Sequence, residues 1–172
     1  STEIGELQFT KYGVSGIPVF QISRYASKAL DKSQKVSLKI DLLYDLDWKA
    51  TMDLLEKRII INPYKNIEEI FYGLFNNKLI LYILKRTGIF SKLEAKKISK
   101  GQLVSLVNII KNFEVDIVET NSFDSAQATC GGIDTTQVSK RTMESKLIPG
   151  LYFSGEILDV DGICGGYNLQ WA

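Results

Sequence analysis

The distribution of glycine divides this 172-residue sequence into two parts. None of the 13 glycines lies between Gly16 and Gly73, whereas seven of them follow residue 130. Glycine weakens helices and strands, and it favours turns and close approaches of the backbone. We therefore predict a mostly helical region over residues 17–112 and a region of strands and loops over residues 113–172.

The composition is that of an ordinary globular protein. Apolar residues make up 45% of the chain and charged residues 24%, which argues against disorder. A net charge of +1 gives no electrostatic reason to expect a nucleic acid or a membrane as partner. The apolar stretches at residues 79–84 and 103–110 are far shorter than the roughly 20 residues that span a bilayer. Two cysteines and the absence of a signal-peptide pattern favour a cytoplasmic setting.

Apolar spacing predicts three elements near the start of the chain. Residues 6–10 alternate as a short strand does. Residues 17–30 have helical spacing, with Pro18 in the first turn and Ser15 as a plausible N-cap. Residues 36–40 again alternate between apolar and polar side chains, which indicates a half-buried strand.

Four more helices are predicted before residue 113. Asp47 can cap a helix that runs to Ile60, and Pro63 ends it because the residue before a proline is pushed out of the helical region. Three further segments have apolar stripes at three- and four-residue spacing: residues 67–75, residues 78–87 with Gly88 as a stop, and residues 102–113. Together these segments predict a small helical bundle.

Two groups of side chains in this bundle each allow two interpretations. Four lysines are most simply a solvated face, since no aromatic residues interleave with them for base stacking; the alternative is an anionic contact by Lys92, Lys96, Lys97 and Lys100. Four aromatic side chains are most simply core, and the alternative is a docking groove lined by Phe71, Tyr72, Phe75 and Tyr82. That groove would make the chain a non-catalytic helical interaction module.

The last part of the chain pairs glycines with carboxylates. Residues 115 and 117 predict one strand, with residues 119–120 as an optional extension. Residues 151–153 predict a second strand that runs into Gly155 and Glu156. Such a strand end lets the backbone approach a ligand while the carboxylate accepts a ribose or ribityl hydroxyl. Double glycines at residues 131–132 and 165–166 can present backbone N–H groups to a phosphate or to a flavin carbonyl. These features together suggest a site for a nucleotide-type cofactor.

Longer stretches of the sequence resemble one known family. Residues 142–162 read TMESKLIPGLYFSGEILDVDG, and residues 165–172 read GGYNLQWA. Upstream, residues 126–133 read AQATCGGI; near the start, residues 5–10 read GELQFT and residues 13–23 read GVSGIPVFQIS. Together these runs resemble the BaiN-type family of NAD(P)/FAD-dependent oxidoreductases, with Cys130 where alanine is usual.

The resemblance implies an α+β chain with a small helical insert domain and part of an α/β FAD-binding domain of glutathione-reductase-like architecture. Residues 1–13 would end the β-barrel part of the insert, residues 14–112 would form its helical domain, and residues 113–172 would be the C-terminal segment of the FAD-binding domain. No Gly-x-Gly-x-x-Gly opens a helix here, so we expect the N-terminal Rossmann half to be missing. We therefore expect an expressed fragment that lacks FAD and is inactive on its own, and a naturally small protein is the alternative.

The resemblance also implies a cofactor and a reaction. The full-length parent would be a bacterial FAD-dependent oxidoreductase in which NAD(P)H feeds the reduction of a small organic substrate. Its partner would be the missing half of the same polypeptide. The flavin carries the hydride chemistry, and no catalytic acid is identified. The residues expected to contact FAD are Gly131, Gly132, Gly155, Glu156, Asp159, Gly165, Gly166, Tyr167 and Asn168.

Three smaller expectations concern the cysteines, metal binding and packing. Cys130 and Cys164 each precede a Gly-Gly pair; they are most simply small packing side chains, and a redox-active pair is the alternative. A metal site is not expected, because the chain has no histidine and no short cysteine spacing. We expect residues 113–172 to pack loosely, because a returning segment of a larger sheet leaves unpaired strand edges.

Overall fold

The structure is a computed structural model, and it describes residues 1–122, 124, 126, 129–164 and 166–172. The chain forms two compact units. The first contains Ser1–Val36 and Ile117–Ala172, and the second contains Ser37–Asp116. Helices and small sheets are mixed, so the chain is α+β as predicted. The domain boundaries expected at residues 13 and 112 stay predictions.

The described residues contain six α-helices and four short strands. The helices are α1 (Ile17–Leu30), α2 (Trp48–Ile61), α3 (Ile67–Ile70), α4 (Asn77–Arg86), α5 (Lys100–Lys111) and α6 (Tyr167–Trp171). The strands are β1 (Gln8–Phe9), β2 (Val14–Ser15), β3 (Val36–Ile40) and β4 (Phe113–Ile117). β1 pairs with β2 antiparallel, and β3 pairs with β4.

Side-chain caps fix the starts of the helices in the second unit. Asp47 accepts a hydrogen bond from the amide three residues along at 2.7 Å, which confirms it as the cap of α2. Asn76 caps α4 in the same way at 2.9 Å. Ser99 caps α5 and forms a capping box with Gln102. Such caps satisfy amides that the first turn of a helix leaves unpaired, so local sequence sets these boundaries.

One hydrophobic core holds the second unit together. α2 and α5 pack against each other, and their facing stripes contribute the fully buried Leu55, Leu106, Val107 and Ile110. α3 and α4 add further buried isoleucines and leucines to the same cluster. Burying one such side chain contributes about 1.5–3 kcal/mol, so this cluster dominates the stability of the unit.

The first unit buries far fewer apolar side chains. Among its described residues after position 117, Val138 and Leu158 are the buried hydrophobic ones. Leu169 is 86% exposed and Val118 is 83% exposed. The loose packing expected for residues 113–172 stays a prediction.

The helix predicted over residues 67–75 is much shorter than expected. α3 ends at Ile70, and Gly73 adopts a positive φ of 83°. The Arg58 guanidinium donates to the carbonyl oxygens of Ile70 and Tyr72, each at 2.6 Å. Because a side chain from α2 satisfies these carbonyls, the backbone can leave the helical path there.

Three other sequence predictions were wrong in detail. Gly16, with φ of 113°, occupies the N-cap of α1 in place of Ser15, and no side chain caps that helix. Residues 151–153 are not a strand; Tyr152 forms a single bridge with Glu144. α5 begins two residues before the predicted start, because Ser99 supplies its cap.

Truncation of the core should destabilise the second unit. Leu55 is 0% exposed and Ile60, on the same helix, is 76% exposed. We expect Leu55→Ala to lower the free energy of unfolding by about 3 kcal/mol, through lost burial and a new cavity. Ile60→Ala should change it by less than about 0.5 kcal/mol. Urea titration followed by circular dichroism measures both values, and equal losses would contradict the described core.

Glu68 should make stability depend on pH. Its carboxylate is buried and forms an ion pair with Lys92. The Lys92 ammonium holds the pKa of Glu68 below its ordinary value, and Ser91 acts in the same direction. The resulting stabilisation is present above the unfolded pKa of about 4.3 and is lost as pH falls through the lower folded pKa.

We therefore expect Glu68→Gln to flatten the decline of unfolding free energy between about pH 5 and pH 2. Glu114→Gln, which changes an exposed carboxylate of the same unit, is the matched control and should leave the slope as it is. Urea titrations at half-unit pH steps give both profiles. Parallel profiles for Glu68→Gln and the unsubstituted chain would contradict the proposed role of the ion pair.

Candidate functional site

Two of the predicted cofactor segments lie side by side in the first unit. The amide of Ile133 donates to the carbonyl of Ile157 at 2.9 Å, and the amide of Asp159 donates to the carbonyl of Ile133 at 3.0 Å. These bonds form a parallel bridge between Ile133 and Leu158. We call residues 129–133 and 156–161 the loop pair. It brings together predicted flavin contacts that are far apart in the sequence.

Glycines control the geometry of the loop pair. Gly132 has φ of 148°, and a Cβ there would lie 2.8 Å from the carbonyl carbon of Leu158 and closer still to the Ile157 oxygen. The two segments can therefore approach each other only if this residue is glycine. Gly131 and Gly155 also have positive φ, but nothing lies within 4 Å of where their Cβ would be. Their backbone is open to an approaching ligand.

The carboxylates expected to bind FAD occupy exposed positions on the loop pair. Glu156 lies in a 3₁₀ turn, Gly155–Ile157, where a strand end was predicted. Its Oε1 accepts a hydrogen bond from the Thr129 amide at 3.4 Å. Asp159 is exposed. Both carboxylates therefore keep acceptor capacity for hydroxyl groups of a ligand.

Polar side chains of α1 meet the loop pair, which the sequence analysis did not foresee. The Cys130 thiol donates to Oδ2 of Asp161 at 3.2 Å, and the Arg24 guanidinium lies 3.8 Å from the same oxygen. The Cys130 sulfur raises the pKa of the Lys28 ammonium, and Asp159 and Asp161 add smaller effects in the same direction. Arg24 and Lys28 are four residues apart, so they lie on one face of α1. The four-residue spacing of Arg24 and Lys28 was the sequence signal from which a shared basic face could have been predicted.

Arg24 has a buried donor without a partner. Its Nε is buried and forms no hydrogen bond with the described residues, although the guanidinium also contacts Tyr25 through the hydroxyl at 3.3 Å and the ring at 5.0 Å. Buried donors are nearly always paired in folded proteins. The Nε–H group is therefore able to donate a hydrogen bond to a bound group or to a water.

The remaining predicted contacts lie around the start of α6. Gly166 has φ of 90° and occupies the N-cap of α6. Oδ1 of Asn168 accepts a hydrogen bond from the Gly162 amide at 2.7 Å, which folds the preceding loop back onto α6. Tyr167 is 59% exposed. Gly165, which was also predicted to contact FAD, lies outside the described residues.

The structure also shows the residues of the two alternative interpretations, the redox-active cysteine pair and the docking groove. Cys130 and Cys164 are free thiols. Phe71 is 1% exposed and stacks on Phe75, so this part of the supposed docking groove is core.

Within the described residues, no cluster of His, Cys, Asp or Glu is placed to hold a metal ion. No described helix has the length and apolar character needed to cross a membrane.

Replacement of Gly132 should open the loop pair. We expect Gly132→Ala to cost about 2 kcal/mol locally, because the new Cβ meets backbone and the φ disfavours alanine. The amides of Ile133 and Asp159 should lose hydrogen-exchange protection. Gly101→Ala on α5 is the control: its Cβ position is open, and helix propensity predicts unchanged or slightly higher stability. Unchanged protection at both amides in Gly132→Ala would refute the close approach.

Comparison with known proteins identifies the family. The family model described as the HI0933-like protein barrel and H2TH domain matches residues 1–128. The 3-dehydro-bile acid delta(4,6)-reductase of Clostridium scindens is 39% identical over 99% of this chain and 42% of its own length. Two proteins named ribosomal RNA dihydrouridine synthase, from Haemophilus influenzae and Escherichia coli, are 35% and 33% identical.

These two matches cover 97% and 96% of the chain, and 39% of each relative. The chain thus spans about two fifths of the length of these curated relatives. The family model extends over most of the chain, and the sequence-based recognition of BaiN-type relatives is confirmed. The chain belongs to the HI0933-like family.

Proposed function

We propose that the complete protein is an FAD-dependent oxidoreductase and that this chain contributes to its flavin site. The main observation in support is the loop pair, in which two segments predicted to contact flavin are hydrogen-bonded to each other. On this proposal residues 1–13 end a β-barrel, residues 14–112 form the helical insert domain, and residues 113–172 are the C-terminal segment of a glutathione-reductase-like FAD-binding domain. The N-terminal Rossmann half would hold the ADP moiety.

The residues present fit a flavin nucleotide. The backbone at Gly131, Gly155 and Gly166 is open where a side chain would otherwise stand. Glu156 and Asp159 would accept hydroxyl groups of the ribose or ribityl chain. The Arg24 Nε supplies a donor that no described residue uses. On this assignment Gly132 holds the two segments together, while Tyr167 and Asn168 face the cofactor from the start of α6. Gly165, outside the described residues, stays a predicted contact.

FAD supplies hydride transfer between a nicotinamide and the substrate, and the protein supplies binding, orientation and charge. Arg24 and Lys28 provide positive charge on the α1 side of the loop pair, with Asp161 fixing Arg24 by its carboxylate. Tyr167 is exposed enough to contact a substrate. The geometry supports no assignment of a catalytic acid, and we propose none.

The substrate class follows from the relatives' names. One relative is named a reductase, and the other two are named for a dihydro product, which forms when two hydrogens add across a double bond. We therefore infer reduction of a carbon–carbon double bond, with NAD(P)H as the electron source. A small organic substrate is the first candidate, because the reductase has the higher identity to this chain.

Spectroscopy on the complete protein tests the proposal. The purified protein should be yellow, should release FAD on denaturation, and should lose its flavin absorbance on anaerobic addition of NADH or NADPH. A colourless complete protein that takes up no added FAD would refute it. The 172-residue chain by itself should bind no FAD and show no activity, since the residues for the ADP moiety are expected elsewhere.

Loss of the loop-pair carboxylates should weaken FAD binding. In the complete protein we expect Glu156→Gln combined with Asp159→Asn to raise the dissociation constant for FAD at least about tenfold, because charge-assisted hydrogen bonds contribute about 1.5–3 kcal/mol. Glu119→Gln, an exposed acid of the same unit, should leave affinity unchanged. Fluorescence quenching of FAD on titration gives the constants. An unaltered constant in the double variant would remove these residues from the site.

A further inference from the structure

A groove lies on the second unit between α4, the C-terminal half of α5 and strand β4. Two adjoining depressions of about 480 Å³ and 470 Å³ form it, and both are lined by Tyr82, Arg86 and Glu114. We call it the Arg86 groove, and its polar side chains come from all three elements: Arg86, Asn108, Asn112, Glu114 and Asp116. Its size falls within the range of about 300–1,000 Å³ that is typical of small-molecule sites.

The Arg86 groove contains charges of both signs that are not paired with each other. The Arg86 guanidinium, in the last turn of α4, is exposed and forms no hydrogen bond or ion pair with the residues that the structure describes. Glu114 and Asp116 lie two residues apart on the exposed face of β4, and neither pairs with a cation of the described chain. A guanidinium binds carboxylates and a carboxylate binds ammonium groups, so a ligand with both charges satisfies both.

The groove also supplies neutral hydrogen-bond donors. The Trp48 indole donates to Oδ1 of Asn108 at 2.7 Å, which leaves the amide nitrogen of Asn108 as the available donor. Asn112, the C-cap of α5, is exposed and lines the same depression. Both amides therefore add donors to the depression that the Arg86 guanidinium lines.

An aromatic pair provides the apolar part of the groove. The ring of Phe113 is nearly buried and packs against the ring of Tyr82, with centroids 5.5 Å apart. Tyr82 is 43% exposed, and the half-buried Ile109 lies in the same depression. Unlike Phe71, which is core, Tyr82 therefore presents apolar surface that a ligand can contact.

We infer that the Arg86 groove binds a small zwitterion, namely an α-amino acid with an apolar side chain. The guanidinium and the asparagine amides bind its carboxylate. The carboxylates of β4 bind its ammonium group, and the Tyr82 ring contacts its side chain. Because β4 follows the C-terminal end of α5, the negative end of that helix dipole also favours the ammonium. The inference goes beyond the proposed flavin chemistry and does not depend on it.

Isothermal titration calorimetry on the full 172-residue chain tests this with L-phenylalanine as the probe. We expect a dissociation constant below about 1 mM. Two analogues each lack one charge: 3-phenylpropionate has no ammonium group, and 2-phenylethylamine has no carboxylate. Each should bind at least about tenfold more weakly, because it loses the charge-assisted hydrogen bonds at one end. Absence of binding by L-phenylalanine, or equal affinity for either analogue, would overturn the inference.

Substitutions place the binding in the groove. Arg86→Gln should weaken binding of L-phenylalanine at least about tenfold, and so should Glu114→Gln combined with Asp116→Asn. Lys85→Gln, which removes the neighbouring exposed charge of α4, is the control for Arg86, and it should leave the affinity unchanged.

The control for the double variant is Asp53→Asn combined with Glu56→Gln, which removes two exposed carboxylates from α2. It too should bind L-phenylalanine with unchanged affinity. Circular dichroism checks that each variant is folded, and all the substituted side chains are exposed. Equal losses in a groove variant and its control, or unchanged affinity in either groove variant, would contradict the assignment.

Discussion

The buried face of α5 organises the second unit. Leu106, Val107 and Ile110 exclude water against α2, and the polar contacts around this face follow from their placement. The Ile110 carbonyl accepts the Leu42 amide at the end of β3, and Lys111 bonds to Asp41 and to the carbonyls of Leu43 and Leu46. The Trp48 indole donates to Asn108 at 2.7 Å. Burial of this apolar face therefore supplies most of the stabilisation, and the hydrogen bonds fix how the neighbouring segments align against it.

The first unit depends on a different constraint. Few apolar side chains are buried in its described residues. Its C-terminal segments are positioned by backbone hydrogen bonds and by the close approach that Gly132 allows because it has no Cβ. Such an arrangement fits a surface that receives a ligand, because open backbone and exposed carboxylates are available for binding. After position 117, the described residues of this unit form 3₁₀ turns and single bridges in place of extended strands.

In both units, side chains that are distant in the sequence contact each other. Arg24 meets Asp161 and Cys130, and Tyr64 meets Lys96. In each case side-chain contacts join the cation to its neighbours, and Lys96 also pairs with Glu94.

The sequence by itself determined the elements whose signals are local. Asp47 caps α2, Gly88 follows α4, and alternation defines β3, because capping and side-chain period act over a few residues. The family resemblance supplied the cofactor glycines and carboxylates, whose binding roles stay predictions. Tertiary structure determined where α3 ends, because the Arg58 guanidinium of α2 donates hydrogen bonds to the carbonyls of Ile70 and Tyr72. It also determined which polar groups contact each other. Contacts such as Arg24 with Asp161 depend on how the chain folds back, and a pattern of neighbouring residues contains no information on that geometry.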